Sequence, residues 1–280
     1  MFGRNRKAKS DFNSKFLPKT RKEAFFDILK MHYGLLLKLG LIILLSLIPL
    51  LFVLINEDIY LSKIYQDFKL GNISEDEFNN LYKSAYIFTS LLEIPAFILF
   101  GLGLSGVIKV YRRIVFYEPV FFKEDFFSGI KENILSVSII LLIFGLVSLS
   151  TNIIRLNTNL FVVLRYLPYA ISYVLIYPTL LLSLTMLPIY KANVFSIIRD
   201  ALKLLFKSFL KTILFAFLLF VVMLITLISS IYAKYVILLI FIVFIIPILV
   251  LAFYMNSVDV FDKYVNSEYH KEIYRKGLFD

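Results

Sequence analysis

Six apolar runs, most about 20 residues long, dominate this chain, and a run of that length can do little except cross a bilayer. At 1.5 Å per residue it spans a hydrocarbon core about 30 Å thick. The runs are Leu35–Ile55, Tyr86–Val107, Ile134–Ile154, Leu160–Leu187, Thr212–Tyr232 and Tyr235–Met255. The last two are divided only by Ala233 and Lys234. With 60% hydrophobic and 18% charged residues, the chain departs from soluble domains in the direction of membrane proteins. The expected fold is an all-α integral membrane protein of about six transmembrane helices. Segment 1–34 is a basic N-terminal stretch, 35–255 is the membrane domain, and 256–280 is a tail. The polar opening from Met1 to Lys22 is too long and too charged for a secretory signal.

The basic residues predict orientation. Segments 1–34, 108–133, 188–211 and 256–280 carry nine, five, five and four Lys and Arg, 23 of the 30. The alternate loops 56–85, 155–159 and 233–234 carry three, one and one, and Lys38 and Arg165 fall inside runs. Because basic loops are retained on the cytoplasmic side, both ends are expected in the cytoplasm of a bacterial cell membrane. The net charge of +10 therefore reports topology and contact with anionic headgroups, not nucleic acid.

A hairpin repeated three times is a further expectation. Each unit has an amphipathic segment, an outgoing span, an outer connection and a return span with an internal proline: Pro95, Pro178 or Pro247. Proline removes a backbone donor and kinks helices, which would give three similar bent hairpins. Chance similarity between apolar stretches is the alternative. In the third amphipathic segment Arg199, Lys203, Lys207 and Lys211 recur every fourth residue along one face, with Ile198, Leu202, Leu205 and Phe209 on another. In the second, Phe122, Phe126, Ile130 and Ile134 form the apolar stripe. Such helices lie in the interface as anchors or offer a docking surface for lipid or a partner protein. Ser74 and Glu77 in the outer loop have capping-box spacing and start a helix that continues into the second span.

Sites for chemistry are sparse. Gly101, Gly103, Ser105 and Gly106 match G-x-G-x-x-G, but inside an apolar run with no strand before it, so they predict close helix packing. Glu93 and Arg165 lie at similar shallow depth in their runs and are candidates for an ion pair, structural or lining a polar path. The absence of cysteine excludes disulfides and thiolate chemistry. His32, His270, Asp259 and Asp262 form no catalytic or metal-binding spacing, so neither enzyme chemistry nor a cofactor is expected.

The second span with GLGLSGVIKVYRR, the following EPVFFKEDFFSGIKEN, and IIRDALKLLFKSFLKT leading into the fifth span resemble the YesL-like family of bacterial polytopic membrane proteins. The resemblance covers about Phe25 to Tyr264, although loop 56–85 is longer than the family pattern. It implies a cytoplasmic-membrane protein whose relatives are often encoded near carbohydrate-uptake systems, and it brings no active-site residues. The function expected from all this is a non-enzymatic accessory or scaffold protein of a transport system. A small channel or permease with a path near Glu93 and Arg165 is the alternative. The usual E-A-A…G coupling pattern of an import permease subunit is not seen.

Overall fold

The computed structural model describes residues 18–157 and 160–279. Half of the basic N-terminal stretch (residues 1–17), two residues of the 155–159 loop and residue 280 therefore lie outside the described residues. The described chain is all helix and turn. Its helices are α1 (Arg21–Lys69), α2 (Glu75–Val115), α3 (Phe122–Leu156), α4 (Val162–Ile171), α5 (Tyr177–Met186), α6 (Val194–Lys207), α7 (Phe209–Phe220), α8 (Ile231–Phe244), α9 (Ile246–Phe261) and the single turn α10 (Ser267–Tyr269). Five helical stretches are long and apolar enough to cross a membrane, and six if the bent pair α8 and α9 counts as one span. This is a multi-pass membrane protein.

Both described ends lie at one end of the bundle, where the Phe279 amide donates to the Pro18 carbonyl at 2.9 Å. This end is called basal here and the opposite end distal. The first hairpin is longer than a bilayer requires: α1, at 49 residues, kinks at His32 (φ −117°, ψ 18°), and its part beyond the kink alone extends ~55 Å. Its distal turn is closed by Gly71 at φ 74° and restarted by Ser74, whose side chain and that of Glu77 form a reciprocal capping box. Phe68 of α1 stacks on Phe78 of α2 at 4.6 Å, and the aromatic row continues along α2 through Tyr82 to Tyr86. Asp58 of α1 accepts from Tyr235 at 2.7 Å and pairs with Lys234, which fastens α8 to this hairpin.

Small residues set the helix spacing. A Cβ on Gly103 would overlap the Ser46 side chain of α1, and one on Gly106 would lie 2.4 Å from the Phe126 ring and 2.8 Å from its carbonyl oxygen. Gly101 faces Leu141 and Val137 of α3, and Ser105 is fully buried with its hydroxyl on the Leu102 carbonyl. Gly129 of α3 meets the Ser105 carbonyl from the other side. The glycine-rich stretch is thus where α2 touches α1 on one face and α3 on the other.

The three hairpins are not alike. Pro95 sits within α2, whose helical course is unbroken from Glu75 to Val115 because α1 and α3 brace it. Pro178 follows a π-helical turn, Ser172–Ile176, and Pro247 follows a 47° bend at Ile245. The division between the last two spans lies at residues 228–230, with Ser230 capping α8, so Ala233 and Lys234 belong to its first turn. The third amphipathic segment is also broken. At Ser208 (φ −128°, ψ 34°) the hydroxyl bonds back to the Leu204 carbonyl, and α6 ends. Lys211 therefore leaves the row of Arg199, Lys203 and Lys207 and pairs with Asp259 of α9 at 2.5 Å.

Two glycines test this packing in opposite directions. Gly106→Leu must push α2 from α3 and should cost about 2–3 kcal/mol, seen as a lower thermal midpoint in detergent. A Cβ at Gly34 meets nothing within 4 Å. Gly34→Ala should raise the midpoint, by up to ~1 kcal/mol of helix propensity. Equal effects of the two substitutions would contradict the packing described.

Candidate functional site

Two polar clusters, one at each end, interrupt an otherwise apolar interior. The distal one begins with the buried face of α1. Leu36, Ile43, Glu57 and Ile64 fall on one seven-residue spacing and all are buried, so Glu57 continues an inward-facing seam. Its carboxylate lies beside Thr89, whose hydroxyl donates to the Ala85 carbonyl at 3.0 Å, and in electrostatic range of Glu93, Asp58 and Arg155. The Arg155 guanidinium sits 5.5 Å from the Tyr86 ring centroid, and its Nε is buried without a hydrogen-bond partner among the described residues. Asn152 of α3 donates to Ser90 of α2 at 3.1 Å. An aromatic wall closes the cluster: Tyr177 stacks on Phe144 at 4.2 Å, and Tyr173 meets both Tyr177 and Phe220 edge-on. A cavity of about 580 Å³ opens beside Glu57 between α1 and α2, lined by Phe52, Asn56, Tyr60, Phe88 and Thr89.

Glu93 and Arg165 do not pair. Arg165 folds back and donates from Nε and Nη2 to the Arg155 carbonyl at 3.1 and 3.0 Å. The last carbonyls of a helix lack intrahelical partners, and the short link from α3 to α4 brings Arg165 within reach of one. Glu93 is half-buried on α2 and has Glu57 rather than Arg165 as its charged neighbour. Glu57 and Arg155 appear in sequence as loop residues; the signal that places Glu57 inside is the heptad spacing in α1 and the lack of a breaker before Gly71, and none marks Arg155, in the last turn of α3.

The basal cluster is built on the end of α2. Tyr117 takes a left-handed conformation (φ 53°), and the Tyr117 and Glu118 amides return to the Ile114 and Arg113 carbonyls at 3.1 and 2.9 Å. This Schellman turn, made here without glycine, swings Glu118 over the basic last turn of α2. Glu118 accepts from Arg113 at 2.6 Å, from Lys276 of the C-terminal segment at 2.7 Å, and from Arg112 at 3.3 Å. Burial alone would push the Glu118 carboxyl up; Lys276 and the two arginines outweigh it and hold the group below the usual carboxylate range. Arg113 also donates to Asp125 of α3, and the Tyr117 hydroxyl donates to Asp27 of α1 at 2.7 Å. Burial, reinforced by Asp27, raises the Tyr117 phenol above its ordinary value. A second chain of contacts runs from Arg21 to Asp262 (2.7 Å), from Asn266 to Asp262 (2.8 Å) and from Tyr190 to Asn266 (2.7 Å).

Between the clusters the interior is apolar. Val107, Ile108, Val137, Ile140, Leu141, Leu180 and Leu184 are buried there. The nearby hydroxyls of Thr179 and Ser183 turn onto their own helix carbonyls. A polar cavity of about 680 Å³ lined by Lys109, Arg112, Glu132, Asn133 and Tyr190 lies on the basal side of this layer.

At the basal rim, α6 is held by Val194, Ile197, Ala201, Leu204 and Leu205, all buried. It turns Arg199 and Lys203 outward, together with Phe195, Leu202 and Phe206. Arg199 and Lys203 make only exposed contacts, with Asp200, and Lys207 lies over the Tyr264 ring. The expected apolar face is therefore split. Leu205 packs inward while Leu202 faces out. The second amphipathic segment is no separate helix: it is the first turns of α3, with Phe126 against Gly106. No group of three or more metal-ligating side chains occurs among the described residues. Comparison of the chain with family models, with curated proteins and with solved structures gives no match.

The Glu118 hub carries a pH prediction. Its carboxyl titrates lower in the folded than in the unfolded chain, where the value is about 4.3. Its contribution is therefore complete above that value and is lost as the pH falls through the lower folded one. Glu118→Gln should cost about 1–3 kcal/mol at pH 7 and flatten the acid limb of a thermal-midpoint profile measured between pH 6 and 3. An unchanged acid limb would remove Glu118 from the role given to it here.

Proposed function

We propose that the protein is a non-enzymatic accessory or scaffold protein of a membrane transport system. In this reading the basal end faces the cytoplasm of a bacterial cell, and a partner docks on α6. The observation that carries the reading is the outward surface of α6: a rigidly held helix that presents Arg199 and Lys203 beside the exposed Phe195, Leu202 and Phe206. Among the described residues nothing in the chain covers this surface. A basic row beside an apolar strip fits a partner with acidic and apolar residues at the membrane surface. The excess of basic residues in the described parts of the segments that meet at the basal end favours the cytoplasmic orientation. The YesL-like resemblance of the segment from Ile197 to Thr212 makes a carbohydrate-uptake system the reading's first choice of setting.

The permease alternative has one observation in its favour, the distal group of buried Glu57 with half-buried Glu93 and Arg155 beside a cavity. The apolar layer below it favours the scaffold reading, since a conduit needs polar lining through that layer.

Photocrosslinkers at positions 195, 203 and 206 should capture one and the same protein in native membranes, and Arg199→Glu with Lys203→Glu should abolish the adduct without lowering abundance. Capture of lipid alone would end the docking reading. In that case Glu93→Gln, assayed for solute flux in vesicles with Arg165→Leu as a comparison, becomes the informative variant. A loss of flux with Glu93→Gln at unchanged abundance would establish the permease in its place.

A further inference from the structure

None of the residues that line the polar basal cavity belongs to α6. The cavity lies where α2 and α3 meet the link from α5 to α6, and its volume of about 680 Å³ is that of a small-molecule site, about 300–1,000 Å³. Its depth follows from the chain. Lys109 stands two residues past the second apolar run, Glu132 and Asn133 directly precede the third, and Leu187 ends the fourth. The cavity is therefore at the level where lipid phosphates meet water.

The wall holds positive charge that the protein does not neutralise. Glu118 gives its close contacts to Arg113 and Lys276, at 2.6 and 2.7 Å, whereas the Nη atoms of Arg112 stand 3.3 and 3.4 Å away, beyond the optimum for a charged pair. In the wall and this hub together, five cations (Lys109, Arg112, Arg113, Lys191 and Lys276) are set against three carboxylates (Glu118, Asp125 and Glu132), a surplus of two positive charges. Lys191 is exposed and makes no ion pair among the described residues. Lys109 holds Glu132 at 2.6 Å, and an ammonium has two further N–H groups to give. Ser136 is the exception among the hydroxyls. Ser105, Thr179 and Ser183 bond to carbonyls of their own helices, while Ser136, half-buried at the cavity wall, makes no hydrogen bond among the described residues. The Tyr190 hydroxyl is spent on Asn266, which fixes the link that carries Lys191. Asn133 Nδ2 and Arg112 Nε are closed to solvent and receive nothing.

We propose that this cavity binds a phosphomonoester that reaches it from the basal side. Such a group carries about −1.5 to −2 charges at pH 7, which matches the surplus of the wall, and its three free oxygens accept hydrogen bonds where the wall offers donors. Lys109 and Lys191 supply charged donors, Ser136 supplies a neutral one, and Arg112 adds its loosely held charge. Glu132 accepts from a hydroxyl elsewhere on the ligand. A phosphodiester, with a single negative charge, leaves part of the surplus unmatched. Two sources present a phosphomonoester at this depth: a solute on the basal aqueous side, and the headgroup of a lipid of the phosphatidic acid type.

The test is the thermal midpoint of the full chain in phosphatidylcholine nanodiscs, measured with rising glycerol phosphate or with phosphatidic acid replacing part of the lipid. One of the two should raise the midpoint saturably by several degrees, because a ligand that binds only the folded chain stabilises it by mass action. Glycerol and phosphatidylglycerol, which lack the dianion, should not match it. A response to glycerol phosphate identifies a solute site, and a response to phosphatidic acid alone identifies a lipid site. Lys191→Glu should abolish the response, and Arg112→Gln should weaken the apparent affinity several-fold. Because Lys191 is exposed, its variant tests the site even if Arg112→Gln does not fold. Lys123→Glu makes the same charge change at an exposed residue outside the cavity and should leave the response intact. A protein that responds to neither phosphomonoester, or a response that survives Lys191→Glu or is equally lost with Lys123→Glu, would overturn the assignment.

Discussion

A hydrocarbon interior offers no hydrogen bonds, and every backbone amide and carbonyl that crosses it must be satisfied within the chain. That requirement makes the described structure helical throughout. It also explains the smaller choices. Thr179, Ser183 and Ser105 spend their hydroxyls on carbonyls of their own helices. Arg165 is spent on an open carbonyl at the end of α3. Because lipid tails are as apolar as the helices, association rests on close contact, and Gly103, Gly106 and Gly129 allow that contact where α2 meets its neighbours.

Charge is then confined to the two ends, and each end uses it differently. At the basal end Glu118 collects Arg112, Arg113 and Lys276, so a single carboxylate draws the end of α2 and the C-terminal segment together. The Arg21–Asp262 pair closes the start of α1 onto the end of α9. At the distal end the buried charges are fewer, with Glu57 near Thr89 of α2 and Arg155 over the Tyr86 ring.

Much of the architecture was legible because it follows from local chemistry. Apolar run length located the spans, and Ser74 with Glu77 marked the start of α2, since a capping box involves only neighbours in the chain. The glycine-rich stretch was legible as a packing surface because small residues within an apolar run have few other uses. The misplacements have the opposite character. Pro95 and Pro247 look alike in sequence, yet only Pro247 stands at a bend, because α2 is braced by a helix on either side. Lys211 continues a four-residue period on paper, but Ser208 ends the helix before it. Glu93 and Arg165 are at matching depth, yet depth says nothing about which way two helices face each other.

The sequence by itself determined that this chain is a multi-pass helical membrane protein, since hydropathy is summed over single segments and needs no partner. The packing role of Gly101 to Gly106 and the start of α2 rest on the same kind of short-range information. Only the tertiary structure decided which charges meet, that Glu118 rather than Glu93 is the hub of an ion-pair network, and that Lys109, Arg112 and Lys191 line one cavity. Those facts depend on helix rotation and on contacts between residues as far apart as Arg21 and Asp262, which no local pattern encodes.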